Sequence, residues 1–169
     1  KKLSVLFSLV AILTIASFTA KAQVSATATS SATIITPIAI SKSIDLNFGN
    51  VAVSPSLAGT VQLSPASTRT AGGGVTLPVV TGTVSAAKFT VTGAAGSTFS
   101  ISLPGAPITL TSGSNTMTVG TFTSNPTPTG TLTAGTQDVF VGATLNVAAG
   151  QAAGVYTNAT VLVVTVNYN

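Results

Sequence analysis

The sequence predicts an all-β domain folded as an antiparallel sandwich or barrel. Three observations carry that expectation. Apolar residues recur at period two in many short runs, the spacing of side chains along one face of a strand. Threonine and valine dominate those runs, and 16 glycines and 8 prolines punctuate them, as in pleated segments separated by turns. Charged residues make up 5% of the chain and hydrophobic ones 45%, the reverse of a disordered composition. Beyond residue 22 no stretch shows helical periodicity.

The chain opens on Lys1 and Lys2, runs apolar from Leu3 to Phe18 and reaches Ala20-Lys21-Ala22. This is the build of a secretory signal peptide, with cleavage expected after Ala22. The apolar run is too short for a stable transmembrane anchor. Removing it leaves a single-domain length, with Lys42, Arg69 and Lys88 against Asp45 and Asp138. A net charge near one positive gives no basic patch for nucleic acid or anionic lipid.

Residues 23–34 (QVSATATSSATI) alternate strictly. Val24, Ala26, Ala28, Ser30, Ala32 and Ile34 hold the even positions, and Ser or Thr every odd one from Ser25 to Thr33. Eleven such residues would make a strand of about 36 Å with small inward side chains. The segment reads as an ordinary first strand, as a fraying terminus, or as a strand built for a slender groove in another molecule. Residues 35–169 form the domain. Pro37 places the 35–42 segment at a sheet edge or bulge. Ile44, Leu46 and Phe48 alternate ahead of a Gly49-Asn50 turn, and short strands follow at 51–53 and 59–63.

Residues 66–74 (ASTRTAGGG) lack periodicity and read as a mobile loop. Residues 75–84 are β-like but broken by Pro78 and Gly82. Ala87, Phe89 and Val91 define one clear strand and Phe99, Ile101 and Leu103 another. The five residues between them have hairpin length. Ile108 and Leu110 give a short strand turned at residues 112–115. The parity then switches between Val119 and Phe122 across Gly120, the mark of a β-bulge. Residues 124–130 form a Pro-containing loop, and Val139 to Val147 alternate over nine residues. Leu162, Val164, Val166 and Tyr168 form the last apolar stripe. Val161 and Val163 make its middle apolar on both faces, which predicts a strand enclosed between two layers or between two neighbours rather than at a solvated edge. The expected core comprises Leu46, Phe48, Phe89, Val91, Phe99, Ile101, Val141, Leu145, Leu162, Val164 and Val166.

No chemistry-bearing constellation emerges. The chain has no Cys, His or Trp, and its only carboxylates are Asp45 and Asp138. A nucleophile with a nearby base is not available from this set, and no disulfide can form. Zinc lacks ligands, and calcium would find too few carboxylate oxygens. Asp45 with Asn47 and Asn50 offers at most a weak ion site, and Lys42 with Asp45 reads as an exposed ion pair. The glycines at 72–74 are followed by neither a lysine nor a helix, so they make no phosphate loop. Asn158-Ala159-Thr160 matches a glycosylation sequon that also arises by chance. No enzyme activity and no cofactor are expected.

Four segments together carry a resemblance: LNFGNV at 46–51, AKFTVTG with TFSISLP across 87–104, VGATLNVAAGQAAGVYT at 141–157, and the closing VTVNYN. They resemble a family of secreted bacterial β-domains similar to spore-coat-protein-U-like subunits of archaic chaperone–usher pili. The resemblance implies an immunoglobulin-like antiparallel β-sandwich that lacks its last strand. A periplasmic chaperone first covers the gap, and the N-terminal extension of a neighbouring subunit, delivered at an outer-membrane usher, then fills it. Donor positions would be Val24, Ala26, Ala28, Ala32 and Ile34. The acceptor edge would carry Leu162, Val164, Val166 and Tyr168. The expected role is thus a surface-fibre subunit serving adhesion or biofilm formation. The alternative is a monomeric secreted domain that binds a surface glycan or protein. A small outer-membrane barrel comes third, for want of aromatic girdles.

Overall fold

The computed structural model describes residues 23–158 and 161–169. The expected signal peptide and the last two residues of the sequon lie outside them. The chain divides between Ile34 and Ile35 into two units. In the first, residues 23–34 carry no regular secondary structure and are exposed. The second, residues 35–169, is the antiparallel β-sandwich that the alternation predicts.

Its strands are β1 (Ala39–Ile44), β2 (Ala52–Val53), β3 (Gly59–Leu63), β4 (Arg69–Gly73), β5 (Val75–Thr76), β6 (Ala87–Thr92) and β7 (Thr98–Ser102). There follow β8 (Ile108–Ser112), β9 (Asn115–Asn125), β10 (Thr129–Thr131), β11 (Thr136–Val147), β12 (Thr157–Asn158) and β13 (Thr165–Tyr168). The larger sheet runs β1-β6-β11-β9-β8-β12, with β3 and β4 attached beside β11. β11 is its spine. One edge pairs first with β6 and then with β3, while the other pairs with β9. Its inward residues Val139, Val141, Ala143, Leu145 and Val147 are all buried, so the nine-residue alternation becomes one face of the core. The second sheet is β10-β7-β13, and β2 pairs with β5.

The expected bulge is present. Gly142 pairs with Thr123 and Thr144 with Gly120, so Thr121 and Phe122 oppose Ala143 alone. Thr121 takes φ +49° to do so. The β8–β9 hairpin turns through Gly113 at φ +59°. Pro37 precedes β1, an edge strand that pairs only with β6 and shifts register between Lys42 and Ile44.

The structure corrects four local expectations. Residues 69–73 are not a loop: β4 pairs residue for residue with β3. Backbone ladders need no side chains, so glycines there cost entropy without preventing the strand. Of residues 75–84 only Val75 and Thr76 are a strand, and Val79 and Val80 are exposed.

Strands β6 and β7 do not form a hairpin. β6 lies between β1 and β11, and β7 between β10 and β13, so both edges of each are occupied. The 93–97 segment instead arches from one sheet to the other, tied by Gly93 N–H to Gly135 O and Gly96 N–H to Leu132 O. Val91 and Phe99, both fully buried, meet inside one cluster.

Fourth, the closing strand is not enclosed. Regular pairing covers only Thr165–Tyr168, and Val161 and Val163 are 72% and 58% exposed. Extending the β13 register past Thr165↔Ser102 would set Val163 opposite Pro104, which has no N–H to offer. The inward parity nevertheless holds, with Val164 and Val166 buried and Leu162 and Tyr168 partly so.

The core comprises two clusters. One gathers Val61, Leu63, Val119, Leu145 and Val147 with Phe48, and the other gathers Phe89, Val91, Phe99, Leu132 and Val141 with Val164 and Val166. Leu46, Phe122 and Leu162 pack against both. The expected core is recovered, with Leu46, Ile101 and Leu162 partly rather than fully buried. Phe99 has no exposed surface and pairs across β7 with Gly130 and Tyr168. Phe99→Ala should therefore cost about 3–5 kcal/mol in urea unfolding. A loss below about 0.5 kcal/mol would place Phe99 among surface residues and break this account of the core.

Candidate functional site

The two sheets are unequal, and the site follows from that. The three-stranded sheet covers the half of the larger sheet built from β6 and the first part of β11. Over the other half the cover is irregular chain, and a cavity of about 1120 Å³ remains. Its floor is formed by Phe89, Ile108, Met117, Val119, Leu145 and Val147. Residues 46–53 form one wall, and residues 151–157 with Val161 and Leu162 form the other. Apolar side chains thus line a space larger than the usual 300–1,000 Å³ of a small-ligand pocket.

Polar groups sit at the walls and are already engaged. Lys42 and Asp45 pair with each other at the surface, the exposed ion pair read from the sequence. Asn47 Oδ1 accepts the Gly49 N–H (2.8 Å), and Asn50 Nδ2 donates to Val80 O (3.1 Å). Asn47 and Asn50 are thus tied to nearby backbone, and Asp45 to Lys42. Among the described residues no three His, Cys, Asp or Glu side chains gather. On the opposite wall Gln151 Nε2 donates to Tyr156 Oη (2.7 Å), whose hydroxyl donates to Ala152 O (2.8 Å).

The second carboxylate lies on β11. Asp138 accepts from Lys88 Nζ (2.8 Å) and Thr90 Oγ1 (2.8 Å), while the Lys88 ammonium stands 5.7 Å above the Phe140 ring. The hydrogen bonds from Lys88 and then Thr90 hold the Asp138 carboxyl below its ordinary value. A lowered value means that the pair's contribution is present in neutral solution. It is lost only as pH falls through that lowered value.

Strand β13 is an edge of the second sheet, paired with β7 on one side only, and Val161 and Leu162 just ahead of it line the cavity. Asn169 N–H donates to Thr98 O (3.2 Å). By period two the odd-numbered residues therefore carry the ladder to β7, and the amides of Val166 and Tyr168 point the other way. Among the described residues no backbone bond satisfies that outer edge. Of the four expected acceptor residues only Leu162 lines the cavity. Val164 and Val166, 8% exposed each, belong to the core cluster beneath the second sheet, so the edge they offer is backbone.

Tyr168 fastens the end of β13. Its hydroxyl donates to Thr36 O (2.7 Å) and accepts the Ala94 N–H (2.6 Å). Gly93 makes room, since a Cβ there would lie 2.2 Å from the hydroxyl. One side chain thus joins the last strand, the 93–97 arch and the chain leading into β1. The expected donor residues Val24, Ala26, Ala28, Ala32 and Ile34 are all exposed, Val24 to 92% and Ile34 to 97%.

Sequence reasoning missed most of the groove. The alternation of Ile108 with Leu110 and of Met117 with Val119 was visible, but nothing local marks a face as uncovered. The wall at 151–157 has no periodic signal at all.

Fold and site define an antiparallel β-sandwich with a groove of apolar floor, into whose wall Val161 and Leu162 lead from the edge strand β13. Residues 38–168 match the family described as Domain of unknown function (DUF4402), and the chain belongs to it. No curated protein and no solved structure matches the chain.

Tyr168→Phe keeps the ring and removes both hydroxyl bonds. It should destabilise the domain by about 1–3 kcal/mol, the cost of leaving a donor and an acceptor unpaired. Equilibrium urea unfolding measures this, and an unchanged midpoint would show that the hydroxyl joins nothing of consequence.

Proposed function

We propose that this protein is a structural subunit of a bacterial surface fibre, assembled by strand addition and serving adhesion or biofilm formation. The observation that carries the reading is one pairing. The outer edge of β13 is unpaired, Val161 and Leu162 just ahead of it line a groove with an apolar floor, and the same chain carries an exposed, strictly alternating segment at 23–34. An unpaired edge beside an apolar groove favours association with an extended segment of matching period. The resemblance to spore-coat-protein-U-like pilus subunits supports the same reading. In it the protein is exported, held by a periplasmic chaperone and polymerised at an outer-membrane usher.

In the fibre, Val24, Ala26, Ala28, Ala32 and Ile34 of one copy face the groove of the next, and the intervening Ser and Thr face water. Alanines bury little area, so ladder hydrogen bonds to the outward amides of β13 supply much of the binding, about 0.5–1.5 kcal/mol each. Such a function needs no catalytic group. Among the described residues no helix is long and apolar enough to cross a membrane.

Ala28→Asp should abolish assembly, because an unpaired charge would enter the apolar groove, while Thr27→Asp on the outer face should be tolerated. Denaturant-resistant ladders on a gel report the result. Assembly by Ala28→Asp, or a stable wild-type monomer at high concentration without a chaperone, would defeat the proposal.

A further inference from the structure

The groove of about 1120 Å³, with apolar side chains on its floor and on both walls, poses a mechanical question. Burying the apolar side chains of the facing walls against each other would be favourable, so the walls tend to close in. Something must hold them apart. The wall at residues 47–50 belongs to no strand apart from one bridge, in which Asn47 and Ser85 exchange backbone bonds of 2.8 and 3.0 Å.

Its other fastenings are polar and fall outside the groove. Asn50 N–H donates to Thr81 O (2.7 Å). Arg69, the only arginine of the chain, reaches from the first position of β4 and donates through Nη1 to Phe48 O (2.6 Å) and Asn50 O (2.9 Å). These carbonyls flank Gly49, which stands at φ +67° with Thr81 O 2.2 Å from where a Cβ would be. The guanidinium has no carboxylate partner among the described residues. It is spent on the turn alone.

We infer that Arg69 is a positioning residue that holds the Phe48–Asn50 wall back from the groove and so keeps it competent to accept a strand. This rests on the strand-addition reading for the identity of the occupant, but not for the state of the groove. Without the clamp the wall folds inward over Leu46 and Leu162, and only a fraction of molecules stays open. Apparent affinity then falls by that fraction. The loss is in the rate of uptake, because a strand once seated props the wall itself. Release should be unchanged, a split that a residue supporting only general stability would not produce.

The test uses the full chain carrying Ala28→Asp, so that its own extension cannot polymerise. The probes are a synthetic peptide of residues 23–34 and the apolar dye anilinonaphthalene sulfonate. Arg69→Gln should take up the peptide about tenfold more slowly, as expected if a tenth of molecules remain open. Its release should stay within about twofold, and its dye fluorescence should fall. Arg69→Lys, which keeps one charged donor without the fork, should be intermediate; if Arg69→Gln fails to fold, Arg69→Lys alone decides. Lys88→Met, removing a cation that faces Asp138 on the sheet, should match the parent. Dye binding by the parent without peptide uptake would defeat the fibre reading and leave Arg69 to be judged by the dye. Parental uptake and dye binding in the folded Arg69 variants would overturn the inference.

Discussion

The apolar face of the larger sheet is wider than the three-stranded sheet that covers it, and the rest of the structure answers to that mismatch. Where β7 and β13 lie over β6 and the first part of β11, Phe99, Val91 and Val141 pack without exposed surface. Past that cover the same strand continues through Leu145 and Val147, which stay shielded but border open volume. The bulge lies in β9 and the inward parity of β11 runs unbroken from Val139 to Val147, so β11 presents one continuous apolar face to two different roofs. One is a sheet. The other is irregular chain around a groove, bridged at the neck by Leu46, Phe122 and Leu162.

Much of the fold was legible because burial and period two coincide wherever a strand has one apolar face. The 139–147 alternation, the core positions Phe89, Val91 and Phe99, and the bulge near Gly120 all follow from side-chain order alone. What was not legible depends on partners. Residues 93–97 have the length of a hairpin loop, and only the occupied edges of β6 and β7 make them an arch. The RTAGG stretch has nothing to bury, yet β3 offers it a ladder. Val161 and Val163 suggested an enclosed strand, but pairing stops where Pro104 would have to donate. The groove was the least visible feature. It is an absence of cover, and no residue encodes an absence.

The chain meets these demands with few specialised groups. No disulfide is available, since it contains no cysteine, so packing and backbone ladders hold the layers. Polar side chains are used sparingly at joints between irregular segments. Tyr168 ties the end of β13 to Thr36 and Ala94, Arg69 fastens the 48–50 turn, and Gln151 with Tyr156 shapes the opposite wall. Each satisfies backbone groups that lack a sheet partner, which must find bonds somewhere if the turn is to keep its place. Local polar joints thus hold the irregular segments in place around an open space with an apolar floor.

Hydrogen exchange along the last strand tests this most directly. In the monomer the amides of Val166 and Tyr168 face no partner, while those of Thr165 and Asn167 bond to β7. The account predicts fast exchange at Val166 and Tyr168 in the monomer, slow exchange at Thr165 and Asn167, and strong protection of all four in assembled fibres. Protection of Val166 and Tyr168 already in the monomer, or fibres in which they still exchange freely, would contradict it.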